Sequence, residues 1–397
     1  MKRSLVAEAM HINSFGDQYG PEMVIEVYEP KVGLKGMLVI DNTTLGPSKG
    51  GVRITPSVTV QEVFKLARVM TWKTALAKLP FGGAKAGIVA NLKNLTREQK
   101  KKLIQEFAKA IKPFSPSKYI AGPDIGTGEE EMDWYTQANG DWHSATGKPA
   151  EVCMKFFGKP GEKCGIPHEY GSTGFGVACA AEAAAKHLGL DLKDLTLAIE
   201  GFGNVGSFAF KHLDELGASV VAVADSKGTV YNPHGLDFNS IQAIKREAGT
   251  VTAYKRGKIL SHKDIFTLPV DIIIPASLPE VINDKNAEKV RARIIIEAAN
   301  LPVSETAEKI LAKKGVLIVP DLIANAGGVI SSYSEYIGEN PKDMFREVEK
   351  RITENVRFIL EHAKDKNLTP REAALGIVKA RIARGFAKNV NSTLAQR

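Results

Sequence analysis

A glycine triplet in the middle of the chain constrains the fold more than any other feature of the sequence. Gly201, Gly203 and Gly206 form the pattern GxGxxG directly after a short apolar run. A helical pattern follows, and a second apolar run over 220–224 ends at Asp225. This order of strand, glycine turn, helix, strand and acid is typical of a dinucleotide-binding βαβ unit. The glycines let a pyrophosphate approach the helix N-terminus, and the acid is suited to the adenosine ribose.

The same alternation continues towards the C-terminus. Short apolar runs of the buried-strand type occur at 271–276, 292–300 and 316–320, and helical patterns such as 307–314 separate them. Strands and helices in this order predict a doubly wound parallel sheet with right-handed crossovers. The second half of the chain is therefore predicted to be a Rossmann domain.

The length of the chain leaves room for another domain. A chain of 397 residues, 44% hydrophobic and 25% charged, is typical of a globular protein of about two domains, and this composition excludes a disordered or collagen-like chain. We predict an α/β protein in which a substrate-handling domain, 1–165, and a dinucleotide-binding domain, 166–345, are separated by a cleft. Two C-terminal helical patterns, over about 346–397, are expected to rejoin the first domain.

Several classes of protein are not indicated. No stretch approaches the roughly eighteen consecutive apolar residues of a membrane span, and the apolar run at the N-terminus is broken at Glu8, so we expect a cytoplasmic protein without a secretory signal. Cys153, Cys164 and Cys179 are odd in number and form neither a CxxC motif nor a Cys/His cluster. They are therefore expected to be ordinary thiols, with no disulfide and no metal site.

Positive charge is concentrated in one segment. Residues 43–97 contain nine basic residues and a single acid, Glu62, so their net charge equals the +8 of the whole chain. Such a segment indicates an anionic ligand, which is a nucleic acid, a phosphate or a carboxylate, or else a solvated basic face. Its basic residues alternate with glycine and aliphatic residues and not with stacking aromatics, which disfavours a nucleic acid.

Three lysines of this segment stand out. Lys73 falls within the apolar stripe of a helical pattern over 60–79, where it either faces a ligand or extends from the edge of the core. Lys85 is surrounded by glycine and alanine in PFGGAKAGI, which suggests a backbone that a ligand can approach closely. Lys49 precedes another glycine pair, for which a simple turn is the competing explanation.

An acid further along the chain has no structural explanation. Thr127 and Glu130 have the spacing of a capping box, so the acids around Glu130 are assigned to the start of a helix. Asp124 lies before that helix, on a glycine-rich loop after a short strand at 118–121. A carboxylate in this position is a candidate for proton transfer.

Eight motifs occur together and in order along the chain: KGGVR, MTWKTA, PFGGAKAG, GPDIGT, GSTGFGV, GFGNVG, EAAN and NAGGV. In this respect the sequence resembles the glutamate, leucine, phenylalanine and valine dehydrogenase superfamily over nearly its whole length. The resemblance implies an NAD(P)-dependent amino-acid dehydrogenase that forms homo-oligomers through its N-terminal domain, and that binds neither nucleic acid nor membrane.

The resemblance also assigns roles to individual residues. It implies that Lys73 binds the substrate α-carboxylate, that Lys85 activates water and that Asp124 carries a proton to and from the amine. It further implies that Asn325 and Val329 contact the amino acid. The implied cofactor contacts beyond the glycine turn are Thr173 and Asn204 at the nicotinamide carboxamide and Asn300 at the neighbouring ribose.

Two positions bear on the choice of amino acid. In glutamate-specific members, a lysine 24 residues before the α-carboxylate lysine and a serine three residues after the valine of NAGGV contact the side-chain carboxylate. These positions are Lys49 and Ser332 here, which favours L-glutamate, with 2-oxoglutarate and ammonia as products. A buried lysine left unpaired would disfavour leucine by a few kcal/mol. The segment VIDNTTLGP is closer to the branched-chain enzymes, so a leucine or valine dehydrogenase is the first alternative, and a catalytically inactive binding protein is the second.

The resemblance leaves the cofactor and the assembly less defined. Asp225 slightly favours NAD because a carboxylate fits a ribose diol, whereas the adjacent Ser226 and Lys227 would accommodate a 2′-phosphate. Glutamate members of the superfamily are commonly hexamers and leucine members octamers, so a hexamer is favoured.

Overall fold

The computed structural model describes residues 15–154 and 163–395, with side chains as far as 387. The N-terminal segment that contains Glu8 lies outside these residues. Contacts between Cα atoms divide the chain into two units. The first consists of the described parts of Met1–Pro167, Glu335–Asn340 and Ala380–Arg397, and the second of His168–Ser334 and Pro341–Lys379.

This division differs from the predicted domain bounds at the C-terminus. The chain changes unit after Pro167, close to the predicted boundary, but Pro341–Lys379 belongs to the second unit and only the segment from Ala380 onward returns to the first. The helix Pro341–Lys366 packs on the helix Ser172–His187 of the same unit, where Gly176 allows Ile352 to approach closely.

The first unit is built on a mixed sheet of five strands. The strands are Met23–Glu29 (β1), Leu34–Asn42 (β2), Ser48–Thr55 (β3), Gly82–Val89 (β4) and Tyr119–Gly122 (β5). Their order in the sheet is β1-β2-β4-β3-β5. β3 runs parallel to both of its neighbours, whereas β2 is antiparallel to β1 and β4. β3 therefore lies between β4 and β5, although β4 and β5 both follow it in the sequence.

Three helices cover the two faces of this sheet: Val60–Leu76 (α1), Arg97–Ile111 (α2) and Glu129–Asn139 (α3). α2 and α3 bury one face, in a core that includes Val52, Ile88, Phe107 and Trp134. α1 packs on the opposite face, where Val63 and Ala67 contact residues of β2. Alternate residues of β3 and β4 therefore point either into an apolar core or towards the face that carries α1.

Two predicted helix ends, the C-terminal end of α1 and the N-terminal cap of α3, differ in the structure. α1 stops at Leu76, three residues before the predicted end, because Lys78 adopts a left-handed conformation with φ of 55°. The Arg381 guanidinium donates to the carbonyls of Ala75 and Leu76 at 2.8 and 2.7 Å and so satisfies that helix end. The cap of α3 is Gly128, whose N–H donates to Glu131 at 2.7 Å.

Thr127, the predicted cap of α3, bonds other parts of the chain and does not cap the helix. Its hydroxyl donates to the carbonyl of Val52 on β3 at 2.8 Å and accepts from the N–H of Asp124 at 2.9 Å. It therefore holds the loop after β5 against β3. Glu130 bonds the Nε of Arg97 at 2.9 Å.

The second unit contains a sheet of seven strands. They are Thr196–Glu200 (β6), Ser219–Asp225 (β7), Gly228–Tyr231 (β8), Lys258–Leu260 (β9), Ile272–Pro275 (β10), Ile294–Ile296 (β11) and Leu317–Val319 (β12). Their order is β12-β11-β10-β6-β7-β8-β9, and all pairs from β12 to β7 are parallel. The predicted doubly wound parallel sheet is confirmed. β8 and β9, an antiparallel extension, were not predicted because they are short and β9 is largely exposed.

The helices of the second unit follow the strands as expected for a Rossmann domain. They are Ser172–His187 (α4), Asn204–Glu215 (α5), Phe238–Ala248 (α6), Glu305–Lys313 (α7), Asp321–Ala324 (α8), Gly327–Ile337 (α9), Pro341–Lys366 (α10) and Pro370–Ala395 (α11). α9 and α11 each end in residues of the first unit. The start of α11 is fixed by Arg371, which contacts Glu297, Glu308 and Asp321 at 2.5, 2.8 and 3.0 Å.

The expectation of three free thiols was wrong. Cys153 and Cys164 form a disulfide, with their Cα atoms 4.0 Å apart, and an antiparallel bridge pairs the same two residues. Cys179 is a buried free thiol on α4. The helices in the described part of the chain all lack the apolar length that a transmembrane segment requires. The described residues also contain no group of three or more His, Cys, Asp or Glu side chains arranged to bind a metal ion.

Candidate active site

Two of the predicted site residues form a largely buried ion pair in the first unit. The Nζ of Lys85, on β4, lies 3.1 Å from Oδ2 of Asp124, which follows β5. β3 separates these strands in the sheet, and Gly51 of β3 makes the approach possible. A Cβ at Gly51 would lie 2.8 Å from the Asp124 Cβ and 2.6 Å from the Pro123 carbonyl oxygen, so a larger residue would displace the loop.

The surroundings of Lys85 make its neutral form easier to reach than in an exposed lysine. The side chain is buried, and burial lowers the pKa of Lys85, an effect that the Arg53 charge increases and the Asp124 carboxylate partly offsets. A lysine that accepts a proton near neutral pH needs such a lowered pKa. The geometry and the electrostatics are therefore both suited to general-base chemistry at Lys85.

Asp124 is held from two sides. Burial alone would raise the pKa of Asp124, but the nearby charges of Lys85 and Arg53 outweigh burial and the pKa lies below its ordinary value. The Arg53 Nε donates to Oδ2 of Asp124 at 2.8 Å. Asp124 is thus an oriented and ionised carboxylate beside an amine whose cationic form is disfavoured.

Sequence analysis assigned no role to Arg53. Its second contact is with Glu62 of α1, at 2.6 Å from the Arg53 Nη1. A signal was available, because Lys49, Gly51 and Arg53 alternate along β3 and so share one face of the strand. That face is the one that carries α1.

Lys49 is buried on the same strand, with 3% of its surface exposed. Its Nζ donates to the carbonyl of Ala121 on β5 at 2.7 Å. Gly122 leaves room for the amine, since a Cβ there would lie 2.3 Å from the Lys49 Nζ. Burial lowers the pKa of Lys49 to about 7, the charges of Lys148 and Lys85 act in the same direction, and Glu335 opposes them. A simple turn does not explain this lysine.

Lys148 and Glu335 form a second buried ion pair of the first unit, which sequence analysis missed. Their side chains are both fully buried, and the Lys148 Nζ lies 2.5 Å from the Glu335 Oε1. The other carboxylate oxygen of Glu335 accepts from the N–H groups of Gly147 and Ile166 at 2.7 and 2.9 Å. No motif signals this pair, because its members are far apart in the sequence.

Lys73 is also buried, in the last turn of α1, as its position in the apolar stripe predicts. α1 packs against β4, the strand of Lys85. Besides Lys148, which is paired with Glu335, the described part of the first unit therefore contains three buried lysines, Lys49, Lys73 and Lys85.

The glycine turn of the second unit has the predicted geometry. Gly201 follows β6 with a positive φ of 99°, and a Cβ at Gly206 would lie 1.9 Å from the Gly201 carbonyl oxygen. Gly203 is the N-terminal cap of α5, and among the described side chains none caps this helix end. Gly203 and Asn204 are exposed there. Unsatisfied N–H groups at an exposed helix N-terminus, with room for a ligand above glycine, fit the pyrophosphate of a dinucleotide.

Asp225 is more constrained than expected. Its carboxylate accepts four hydrogen bonds, from the N–H groups of Lys227 and Val251, the Thr250 hydroxyl and the Lys245 ammonium, at 2.9, 2.9, 3.2 and 2.7 Å. Ser226 and Lys227 are exposed beside it. The acid at the end of β7 therefore organises its own loop.

The remaining predicted residues of the second unit lie near the NAGGV and EAAN motifs. The Nδ2 of Asn325 donates to the carbonyls of Ala298 and Ala299 at 3.2 and 3.1 Å and to Oδ1 of Asn300 at 3.2 Å. A Cβ at Gly328 would lie 2.9 Å from the Thr173 hydroxyl oxygen. Three motifs distant in the sequence thus meet in one region. Val329 is buried and Ser332 half-buried on α9.

Several known proteins are similar to this chain. The family model for glutamate/leucine/phenylalanine/valine dehydrogenase matches residues 164–390, and that for the dimerisation domain of the same family matches 21–139. Glutamate dehydrogenase of Aeropyrum pernix is 40% identical over 341 residues, which cover 84% of this chain and 80% of the relative. NADP-specific glutamate dehydrogenase of Saccharolobus shibatae is 40% identical over 326 residues, covering 80% and 75%.

Solved structures agree with these matches. The crystal structure of hetero-hexameric glutamate dehydrogenase from Thermus thermophilus, in a leucine-bound form, superimposes with a TM-score of 0.80 at 28% identity, over 92% of this chain and 89% of that one. The two family models together span most of the chain, and the Aeropyrum relative matches at 40% identity over most of both proteins. The chain therefore belongs to the glutamate/leucine/phenylalanine/valine dehydrogenase family.

Proposed function

We propose that this protein is an NAD(P)-dependent glutamate dehydrogenase, which catalyses the reversible oxidative deamination of L-glutamate to 2-oxoglutarate and ammonia. The observation that carries the proposal is the largely buried Lys85–Asp124 pair, at 3.1 Å, in a unit that also buries Lys49 and Lys73. Two of these amines are suited to the two carboxylates of a small dicarboxylic acid, and the third to the chemistry at its α-carbon.

The proposed reaction consumes L-glutamate, water and oxidised cofactor and yields 2-oxoglutarate, ammonia, a proton and reduced cofactor. When bound, the nicotinamide cofactor supplies the acceptor for the hydride that leaves the α-carbon. Lys85 in its neutral form takes a proton from the water that adds to the imine carbon. Asp124 exchanges a proton with the substrate nitrogen. The lowered pKa of Lys85 and the ionised state of Asp124 support these roles.

Substrate choice rests on Lys49. Lys73 would bind the α-carboxylate and Lys49 the side-chain carboxylate, and Asn325, Val329 and Ser332 are proposed as further substrate contacts. An ammonium has three donors, so Lys49 can bond a carboxylate while it keeps Ala121. Its burial makes an apolar side chain a poor substitute, since the cation would then stay unpaired.

Thr173, Asn204 and Asn300 would contact the nicotinamide and its ribose. We propose that both NAD and NADP are used. The slight preference for NAD rested on a free Asp225 carboxylate, and the four donors at Asp225 weaken that argument. The exposed Ser226 and Lys227 offer a hydroxyl and a cation to a 2′-phosphate. The Saccharolobus relative is named NADP-specific, which supports the use of NADP.

The two units support the predicted division into a substrate-handling and a dinucleotide-binding domain, with the refined bounds given above. A homo-oligomer stays a proposal from the sequence, and the hetero-hexameric Thermus neighbour supports six subunits before eight. A cytoplasmic location stays a prediction from the sequence.

Initial rates of NADH and NADPH formation with glutamate, leucine and valine test the function. We expect glutamate to give the highest kcat/KM with either cofactor. Equal or faster turnover of leucine would replace the proposal by a branched-chain dehydrogenase. No reduction of either cofactor with any amino acid would favour an inactive binding protein. Lys49→Met, with Lys65→Met on the exposed face of α1 as the matched control, should remove the preference for glutamate.

A further inference from the structure

We propose that Arg53 is a positioning residue for proton transfer, which orients the Asp124 carboxylate towards Lys85 and is itself restrained by Glu62. The inference rests on the proposed function, because it assigns Asp124 to proton exchange with the substrate nitrogen. The four side chains come from different elements: Arg53 from β3, Glu62 from α1, Lys85 from β4 and Asp124 from the loop after β5.

The two edges of the Arg53 guanidinium have separate partners. Its Nε and Nη2 face the two oxygens of Asp124 at 2.8 and 3.5 Å, while its Nη1 bonds Glu62 at 2.6 Å. A planar fork that meets both carboxylate oxygens fixes the plane of the carboxyl group, which a lysine in the same position would not do. Oδ2 of Asp124 is then shared with the Lys85 Nζ at 3.1 Å.

Arg53, Asp124 and Glu62 differ in how far their side chains are exposed to solvent. The side chains of Arg53 and Asp124 are 15% and 16% exposed, whereas that of Glu62 is 39% exposed. Glu62 is therefore a partly solvated carboxylate that pairs with a largely buried guanidinium. This arrangement of a reacting group, an orienting group and a third group that holds the orienting group resembles the logic of catalytic triads.

The charges explain why Glu62 is part of the arrangement. Without Glu62, the Asp124 carboxylate would lie beside two cations, Arg53 and Lys85. These cations would disfavour the uptake of a proton by Asp124. The Glu62 carboxylate balances the second cation. It also acts on Lys85, whose pKa Arg53 lowers and Glu62 raises, after the larger lowering by burial. Outside these four side chains, Tyr119 interacts electrostatically with Asp124, and Lys49 interacts with Lys85.

The test compares the pH dependence of glutamate oxidation in full-length variants. In Arg53→Met, kcat should fall by about 100-fold, as expected when a reacting group is misplaced, with KM for glutamate within a few-fold of the original protein. The pKa of Lys85 should rise when the neighbouring cation is removed, so the acidic limb of the kcat profile, where activity is lost as Lys85 takes up a proton, should move to higher pH. Arg53→Lys should restore the position of that limb but not kcat, since it keeps the charge and loses the fork.

Glu62→Gln provides an independent measurement and lies at a half-exposed position. Loss of this carboxylate should shift the same limb to lower pH, opposite to Arg53→Met. Lys109→Met, which breaks an exposed ion pair with Glu106 in the same unit, should change neither kcat nor the profile.

A purely structural Arg53 would lower kcat equally at all pH values, with the limb unmoved in Arg53→Met and Glu62→Gln, and that result would overturn the inference. An Arg53→Met protein with unchanged kcat would overturn it too. If Arg53→Met does not fold, the opposite shift in Glu62→Gln and the unrestored kcat of Arg53→Lys decide the matter. Failure of the original protein to oxidise any amino acid would count against the proposed function itself and is recognised before any variant is made.

Discussion

The ammonium of Lys148 lies 2.5 Å from the carboxylate of Glu335, and neither side chain is exposed to solvent. The same ammonium lies 4.0 Å from the centre of the Trp142 ring. Because α9 carries Glu335 into the first unit, this pair joins a C-terminal helix to the segment before the disulfide.

Removal of one partner of this pair should be costly. Glu335→Gln leaves the Lys148 cation buried without a counter-charge, so the free energy of unfolding of the protein should fall by about 3 kcal/mol at neutral pH. Urea unfolding followed by circular dichroism measures the change. The double variant Lys148→Met/Glu335→Gln should recover part of the loss because no unpaired charge remains. Glu106→Gln, at an exposed pair, should cost less than about 1 kcal/mol. Equal losses in the free energy of unfolding for Glu335→Gln and Glu106→Gln would contradict the prediction.

Preference for glutamate should depend on pH. The pKa of Lys49 is lowered by burial to about 7, so below pH 7 Lys49 is mostly an ammonium and above it mostly a neutral amine. A carboxylate binds the ammonium, and the ratio of kcat/KM for glutamate to that for leucine should fall as pH rises from 6 to about 8.5. The ratio cancels effects common to both substrates, such as the titration of Lys85. In Lys49→Met the ratio should be low and flat. A flat ratio in the original protein would show that Lys49 does not bind the side-chain carboxylate.

Cofactor choice should respond to Lys245. The Lys245 ammonium lies 2.7 Å from the Asp225 carboxylate and compensates its charge. Lys245→Met leaves that charge uncompensated beside the ribose, which repels a 2′-phosphate and favours a ribose diol. The ratio of kcat/KM for NAD to that for NADP should therefore rise several-fold. Arg246→Gln, at the adjacent exposed position, is the control and should leave the ratio unchanged. A fall in the ratio for Lys245→Met would refute the assignment of Asp225.

Cysteine labelling tests the disulfide. In denaturant without reductant, only Cys179 should react with iodoacetamide, and after reduction all three cysteines should react. Mass spectrometry distinguishes these results. Cys153→Ser/Cys164→Ser should lower the free energy of unfolding by roughly 2–4 kcal/mol, since the crosslink restricts the unfolded chain. Labelling of three cysteines without reduction would show that the pair is open in the isolated protein.

Much of the fold could be predicted because the relevant signals are local. The glycine turn, the apolar strands of β6, β7, β10, β11 and β12 and the helices between them follow from hydrophobic period and turn chemistry. β8 and β9 have too few residues to show a period. The end of α1 and the start of α3 differ from the prediction because Lys78 adopts a left-handed conformation and the Thr127 hydroxyl bonds Val52 of β3.

The sequence by itself determined the Rossmann architecture, the burial of Lys73 and the candidacy of Lys85 and Asp124, since each depends on residues within about one turn or strand. Only the tertiary structure decided that Arg53 bonds Asp124, 71 residues away. The same holds for the ion pairs of Lys148 with Glu335 and of Lys245 with Asp225. The physical reason is the strand order β4-β3-β5 and the return of α9 to the first unit. Contacts between charged groups depend on which elements become neighbours, and no local pattern of hydrophobicity contains that information.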